Sequence, residues 1–128
     1  MRAVLDTSVL ISSWRPPYDD EYSISIVSLA ELHFGVLRAA ETPELAARVR
    51  RLSEVEHEFE PIPFDGRVAR SYAECAQAVA AAGRSPRPRA FDLVIAATAR
   101  VEGARLYTLN PGDFVGLEAL VEVVNPLA

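Results

Sequence analysis

The sequence predicts an α/β fold: a mainly parallel, five-stranded sheet with helices on both faces. Short apolar or β-branched runs alternate with helical patterns along the chain. No internal repeat and no long linker divides the 128 residues, so residues 1–128 read as a single domain. Half the residues are hydrophobic and 24% are charged, a composition that builds a core without disulfides or a structural metal.

The elements follow in order. Arg2–Leu5 is a short buried strand, and Asp6-Thr7-Ser8 starts a helix with Val9, Leu10, Ile11 and Trp14 on its apolar face. Arg15–Asp20 is a loop punctuated by proline and aspartate. Tyr22–Val27 is alternating and β-branched, a second strand. Ser28-Leu29-Ala30-Glu31 fits a capping box opening a helix to about Ala40, with Leu29, Leu32, Val36 and Leu37 at helical spacing. Thr42-Pro43-Glu44 opens another helix, reaching about Val55. Phe59–Ile62 is a brief third strand. Asp65 caps a long helix to about Ala82, which Gly83 ends. After the Arg84–Arg89 loop, Phe91–Val101 is a strongly apolar helix ended by Gly103. Arg105–Leu109 is a fourth strand, Asn110-Pro111-Gly112-Asp113 a turn, and Val121–Val124 a fifth strand.

Composition excludes several kinds of chemistry. Cys75 is the only cysteine, so an intrachain disulfide is impossible, and its Ala-rich setting predicts a buried, inert thiol. His33 and His57 match no zinc spacing. All thirteen basic residues are Arg, which removes Schiff-base and Walker-type lysine chemistry but suits bidentate phosphate contacts. A net charge of −5 is unusual for a protein that grips nucleic acid through a broad field. No apolar stretch approaches the ~20 residues of a membrane span. The first apolar run meets Asp6 after three residues, unlike a signal peptide, and a cytoplasmic location is the expectation.

In a parallel sheet, ligands bind beyond the carboxyl ends of the strands. Asp6 directly follows the first strand, Glu31 opens the helix after the second, Asp92 lies in the first turn of the apolar helix, and Asp113 follows the fourth strand. All four should face one edge. Clustered carboxylates resist joint ionisation, and a hard divalent cation relieves that conflict. One or two Mg²⁺ or Mn²⁺ ions on such a cluster support phosphodiester hydrolysis without Lys, Cys or His. Each acid also has an ordinary reading: Asp6 as a helix cap, Glu31 as the partner of Ser28, Asp92 against the helix dipole, Asp113 as a turn residue.

Four ordered motifs carry a resemblance. Val4-Leu5-Asp6-Thr7-Ser8-Val9-Leu10-Ile11 resembles the opening strand and turn of PIN-domain nucleases. Ser25–Leu32 is similar to their second acidic motif, Phe91–Ala99 to the third and Leu106–Phe114 to the fourth. The short chain resembles the VapC-type toxins of bacterial toxin–antitoxin pairs in particular. The resemblance implies a sheet ordered 3-2-1-4-5, a metal-dependent endoribonuclease, a homodimer and a cognate VapB-type antitoxin that blocks the site. It implies Asp6 and Asp92 as direct metal ligands. Glu31 would hold metal or orient water, and Asp113 would act directly or through water. Thr7, Ser8, Asn110 and Thr108 would be the polar groups around them. Leu109 stands where many relatives carry a basic residue, which bears on substrate contacts there.

Arg84, Arg87 and Arg89 lie beside the Asp92 helix, as RNA-backbone contacts or a solvated loop. Arg48, Arg50 and Arg51 read as a solvated helix face. Trp14, Phe34 and Leu37 are candidates for an antitoxin groove or ordinary core. The competing readings are a non-catalytic PIN-like RNA- or protein-binding module, a receiver domain and a dehalogenase-type phosphatase. The absence of Lys argues against the last two, and the phosphatase also expects an acid at Ser8. A dinucleotide enzyme lacks its Gly-x-Gly-x-x-Gly after the first strand.

Overall fold

The computed structural model describes residues 2–17 and 20–128. Met1, and Tyr18 and Asp19 of the expected Arg15–Asp20 loop, lie outside the described residues. β1 (Arg2–Leu5) sits inside a parallel sheet, between β2 (Glu21–Ser23) and β3 (Arg105–Tyr107), with β4 (Val123–Val124) beyond β3. The helices are α1 (Thr7–Leu10), α2 (Ile26–Arg38), α3 (Thr42–Glu58), α4 (Gly66–Ala81) and α5 (Ala90–Val101). Arg87–Arg89 and Pro111–Phe114 are 3₁₀ turns.

The sheet has four strands among the described residues, not five. The expected third strand, Phe59–Ile62, is reduced to a single parallel bridge between Ile62 and Ser25. Ile62 donates its N–H to the Ile24 carbonyl at 2.8 Å and accepts from Ile26 at 2.9 Å. Its neighbours Pro61 and Pro63 have no N–H, so the ladder stops after one residue. The expected spatial order survives, with that bridge standing where the third strand was expected.

Other boundaries moved for local reasons. β2 ends at Ser23 rather than Val27, because Ser25 already caps α2 by accepting the Val27 N–H at 3.2 Å. α1 is only four residues long, and Ile11, placed on its buried face by sequence, is 67% exposed. Glu41, not Thr42, occupies the cap position of α3, which runs to Glu58. α4 matches its expected start, with Asp65 accepting the Val68 N–H at 3.0 Å, and Gly83 follows it with φ +83°, where a side chain would be strained.

Alternation along the strands builds two cores. Val4 and Leu106 point into the α4–α5 side, with Val68, Val79, Ile95 and Phe114. Leu5 points the other way, with Val9, Ile24, Leu32 and Val55 of the α2–α3 side, and Tyr107 packs against that cluster. Helices therefore cover both faces. α5 is buried continuously from Leu93 to Ala99, the mark of a helix enclosed on all sides. Cys75 is buried in that core, and burial pushes its thiol above the ordinary range. Among the described residues, no helix is long and apolar enough to cross a membrane.

Candidate active site

Asp6 is set by the end of β1. Its N–H donates to the Tyr107 carbonyl at 2.8 Å, extending the β1–β3 pairing by one residue. It occupies the cap position of α1, but its side chain does not cap that helix. Oδ2 instead accepts from Ser8 Oγ at 2.7 Å and Thr108 Oγ1 at 2.8 Å. Each hydroxyl has one proton. Ser8 Oγ accepts the Leu109 N–H at 3.1 Å, and Thr108 Oγ1 accepts the Asn110 N–H at 3.0 Å. Main-chain donors thus turn both protons toward Asp6. Asp6 is 6% exposed, and among the described residues both side-chain hydrogen bonds it accepts fall on Oδ2. The ordinary reading of Asp6 as a helix cap fails.

Glu31 likewise loses its ordinary reading. α2 starts at Ile26, so Glu31 stands in its second turn, not its first, and is not the reciprocal partner of Ser28. Thr7 Oγ1 donates to Glu31 Oε1 at 2.6 Å and lies 3.0 Å from the Oγ of buried Ser28. Burial raises the Glu31 carboxyl above its usual range; the Thr7 bond opposes this and the Asp6 charge adds to it.

Asp92 lies in the first turn of α5, as expected. Its carboxyl is pushed up to about 6, first by burial, then by the charges of Asp6, Asp113 and Glu31, with Arg89 opposing. All three other acids therefore act on this one group. Asp113 is exposed on the 3₁₀ turn after β3, and its N–H donates to the Asn110 carbonyl at 3.0 Å. Asn110 is also exposed. Four acids from separate chain segments thus share one electrostatic field at the carboxyl edge of the sheet. Among the described residues, no three His, Cys, Asp or Glu side chains stand together as a ready metal-holding group. The donor chemistry nonetheless fits a hard divalent cation: the side chains are all oxygen donors, and burial together with the neighbouring charges raises the Asp92 carboxyl to about 6.

The PIN domain profile matches residues 3–114, a span containing all four acids. The chain belongs to the PIN-domain family. It is 38% identical over 130 residues to ribonuclease VapC5 of Mycobacterium tuberculosis, covering 95% of this chain and 93% of that protein. It is 35% identical over 130 residues to ribonuclease VapC4 of the same organism, covering 97% and 96%. Among solved structures it is similar to VapBC-5 of M. tuberculosis, a member of the VapBC family of toxin–antitoxin systems. That match has a TM-score of 0.81 and 36% identity, and covers 96% of this chain and 95% of that one.

Two hollows border the acids of this PIN domain. One, of about 340 Å³, is lined by Glu31, Arg87, Arg89, Phe91 and Asp92. The other, of about 540 Å³, runs between α1, α2 and α3 and is lined by Thr7, Ile11, Glu31, Leu32, Arg48 and Arg51. Arg48 and Arg51 are therefore not simply a solvated face: Arg48 donates to the Gly35 carbonyl and Arg51 to the Leu10 carbonyl. On α2, Phe34 is 59% and Leu37 83% exposed, whereas Trp14 packs edge-on against Tyr22 and Tyr107.

The three loop arginines differ. Arg84 Nη1 donates to the Gly112 and Val115 carbonyls, both at 3.1 Å, bracketing Asp113. It thus supports the turn that carries an acid, a role its place in the sequence did not suggest. Arg87 and Arg89 line the hollow itself. Ser28, Phe91 and the Arg84 contacts were missed as site features, because only the folded chain brings them to the acids.

Proposed function

We propose that this PIN domain is a Mg²⁺- or Mn²⁺-dependent endoribonuclease, the toxin of a toxin–antitoxin pair, acting on cellular RNA such as tRNA or rRNA. The observation that carries the reading is the placement of Glu31 and Asp92 around one hollow, with Asp6 fixed at the end of β1 and Asp113 on the turn after β3, all of them adding to the charge felt at Asp92. The identity to two VapC ribonucleases over nearly the whole chain supports it.

In this reading Asp6 and Asp92 hold a cation directly, with Asp113 and Glu31 completing one or two sites. A bound divalent cation would supply positive charge against the carboxylates and the scissile phosphate, and would acidify a water it holds. Ser8 and Thr108 fix Asp6 through Oδ2 and leave Oδ1 for the ion. Thr7 orients Glu31, which would hold the metal or orient the attacking water. Asn110 stands at the rim beside Asp113. Arg87 and Arg89 meet the RNA backbone.

The groove between α1, α2 and α3 suits an antitoxin helix or tail. It opens onto Thr7 and Glu31, so a segment laid along it reaches the acids and can place an Arg among them. Exposed Phe34 and Leu37 on α2 suit apolar docking. We further propose one domain over residues 1–128, a homodimer and a cytoplasmic location, where the substrate lies.

The test is cleavage of total cellular RNA with Mg²⁺, with Mn²⁺ and with chelator, beside Asp6→Asn. Discrete fragments that vanish with chelator and with the variant support the reading. Equal cutting by Asp6→Asn removes Asp6 from the site. No cleavage in any lane favours the non-catalytic binding module.

A further inference from the structure

We propose that Phe91 is a stacking platform for one unpaired base of the RNA that this site holds. The inference rests on the ribonuclease reading and adds to it a contact with a base of the substrate. Phe91 precedes Asp92 in the first turn of α5, yet the two residues do different things. Asp92 is half-buried among the acids, whereas Phe91 is 49% exposed. Every residue of α5 from Leu93 to Ala99 is buried, so an aromatic left in solvent at the helix start is not part of that core. Nor does it stand alone on a surface: it lines the same hollow as Glu31, Asp92, Arg87 and Arg89.

That wall combines three chemistries. The carboxylates mark where a phosphodiester would be attacked. Arg87 and Arg89 line the same hollow and bring guanidiniums, which suit phosphate oxygens. The half-exposed phenyl ring brings a flat apolar surface to the same hollow. A net charge of −5 denies the protein a broad attractive field, so affinity has to come from local contacts of this kind. Stacking on an aromatic side chain tolerates any base but requires one that is out of its helix. In a duplex each base is already stacked on both sides and the ring has nothing to receive.

The test compares wild type, Phe91→Ala, Phe91→Leu and Phe91→Tyr. Binding is read with chelator present, by anisotropy, to a labelled single-stranded RNA and to the same sequence as a blunt duplex. A fluorescent purine analogue in the single strand reports stacking directly. Phe91→Ala and Phe91→Leu should bind the single strand about five- to tenfold more weakly and lose the quenching of the analogue, while Phe91→Tyr keeps both. Duplex binding should be weaker and the same for all four proteins. Unchanged single-strand binding by Phe91→Ala overturns the proposal. So does an equal loss for strand and duplex, or a change confined to sedimentation, which would make Phe91 a contact between copies of the chain. If the wild type cuts RNA and Phe91→Ala cuts it equally well, only the stacking role falls. If the wild type neither binds nor cuts RNA, the ribonuclease reading falls first and this proposal with it.

Discussion

Asp6 and Asp113 act on the same carboxyl, Asp92, but the chain holds them by different means. Asp6 is buried at the end of a central strand, with two hydroxyl protons on one oxygen and main-chain donors behind both hydroxyls. Asp113 is exposed on a short 3₁₀ turn, and Arg84 steadies that turn from outside through two carbonyls. One end of the site is part of the core; the other is strapped to it. Changes near Asp6 should therefore disturb fold and function together. Changes near Asp113 should separate them.

The largest expected effect is at the buried end. Asp6→Asn should lower RNA cleavage by more than the roughly 10–100-fold typical of groups behind a metal ligand, and Asp113→Asn by less than Asp6→Asn. Single-turnover cleavage rates check the order; an Asp113→Asn loss equal to or larger than that of Asp6→Asn breaks the comparison. Thr108→Val comes next. It removes one donor to Asp6 and leaves the Asn110 N–H without its acceptor, costing about 1–3 kcal/mol of stability and roughly 10–100-fold in cleavage. Denaturant titration and the same cleavage assay read the two losses, which should appear together.

At the strapped end they should part. Arg84→Ala should cost about two- to tenfold in cleavage, the size of one or two exposed hydrogen bonds, with little change in Tm. It should add nothing in an Asp113→Asn background, and Arg84→Lys should restore the loss. If Arg84→Ala instead weakens RNA binding to the same extent in both backgrounds, the arginine is a phosphate contact.

The smallest effect concerns pH. Asp92 keeps its proton in the folded chain up to about 6, while the unfolded chain loses it near the ordinary 3.8. Between those values the folded state binds more protons, so stability falls as pH rises through that window. Glu31, also raised, acts in the same direction. In chelator, wild type should therefore melt higher at about pH 5 than at about pH 7, and Asp92→Asn should narrow that difference. An unchanged difference would mean that neither burial nor the neighbouring acids raise the Asp92 carboxyl.

The two ends were also unequally legible in sequence. A strand followed by Asp6-Thr7-Ser8 places its acid by local chemistry alone, and the apolar run after Asp92 fixes that helix and its first turn. Glu31 was placed correctly at the edge but for the wrong reason: Ser25 and Ser28 both suit a cap, and the choice depended on where β2 stopped. The role of Thr108 depends on a contact with a residue 102 positions away, and that of Arg84 on contacts 28 and 31 positions away. No periodicity reports such distances. The brief, proline-terminated third strand shrinks to one bridge because Pro61 and Pro63 withdraw the donors a ladder needs.

Those prolines have a consequence for association. Ile62 directs both its backbone groups inward to Ile24 and Ile26, so in a parallel strand the residues facing outward are Pro61 and Pro63. At that margin a foreign strand would find carbonyls but no amides. The margin resists strand addition, the usual route by which open sheets aggregate or swap partners. A protein that captures this chain on the Ile62 side without disturbing the sheet must then approach through helices. On that side the apolar side chains left in water include Phe34 and Leu37 of α2, which makes helix-face substitutions the place to engineer a binder there.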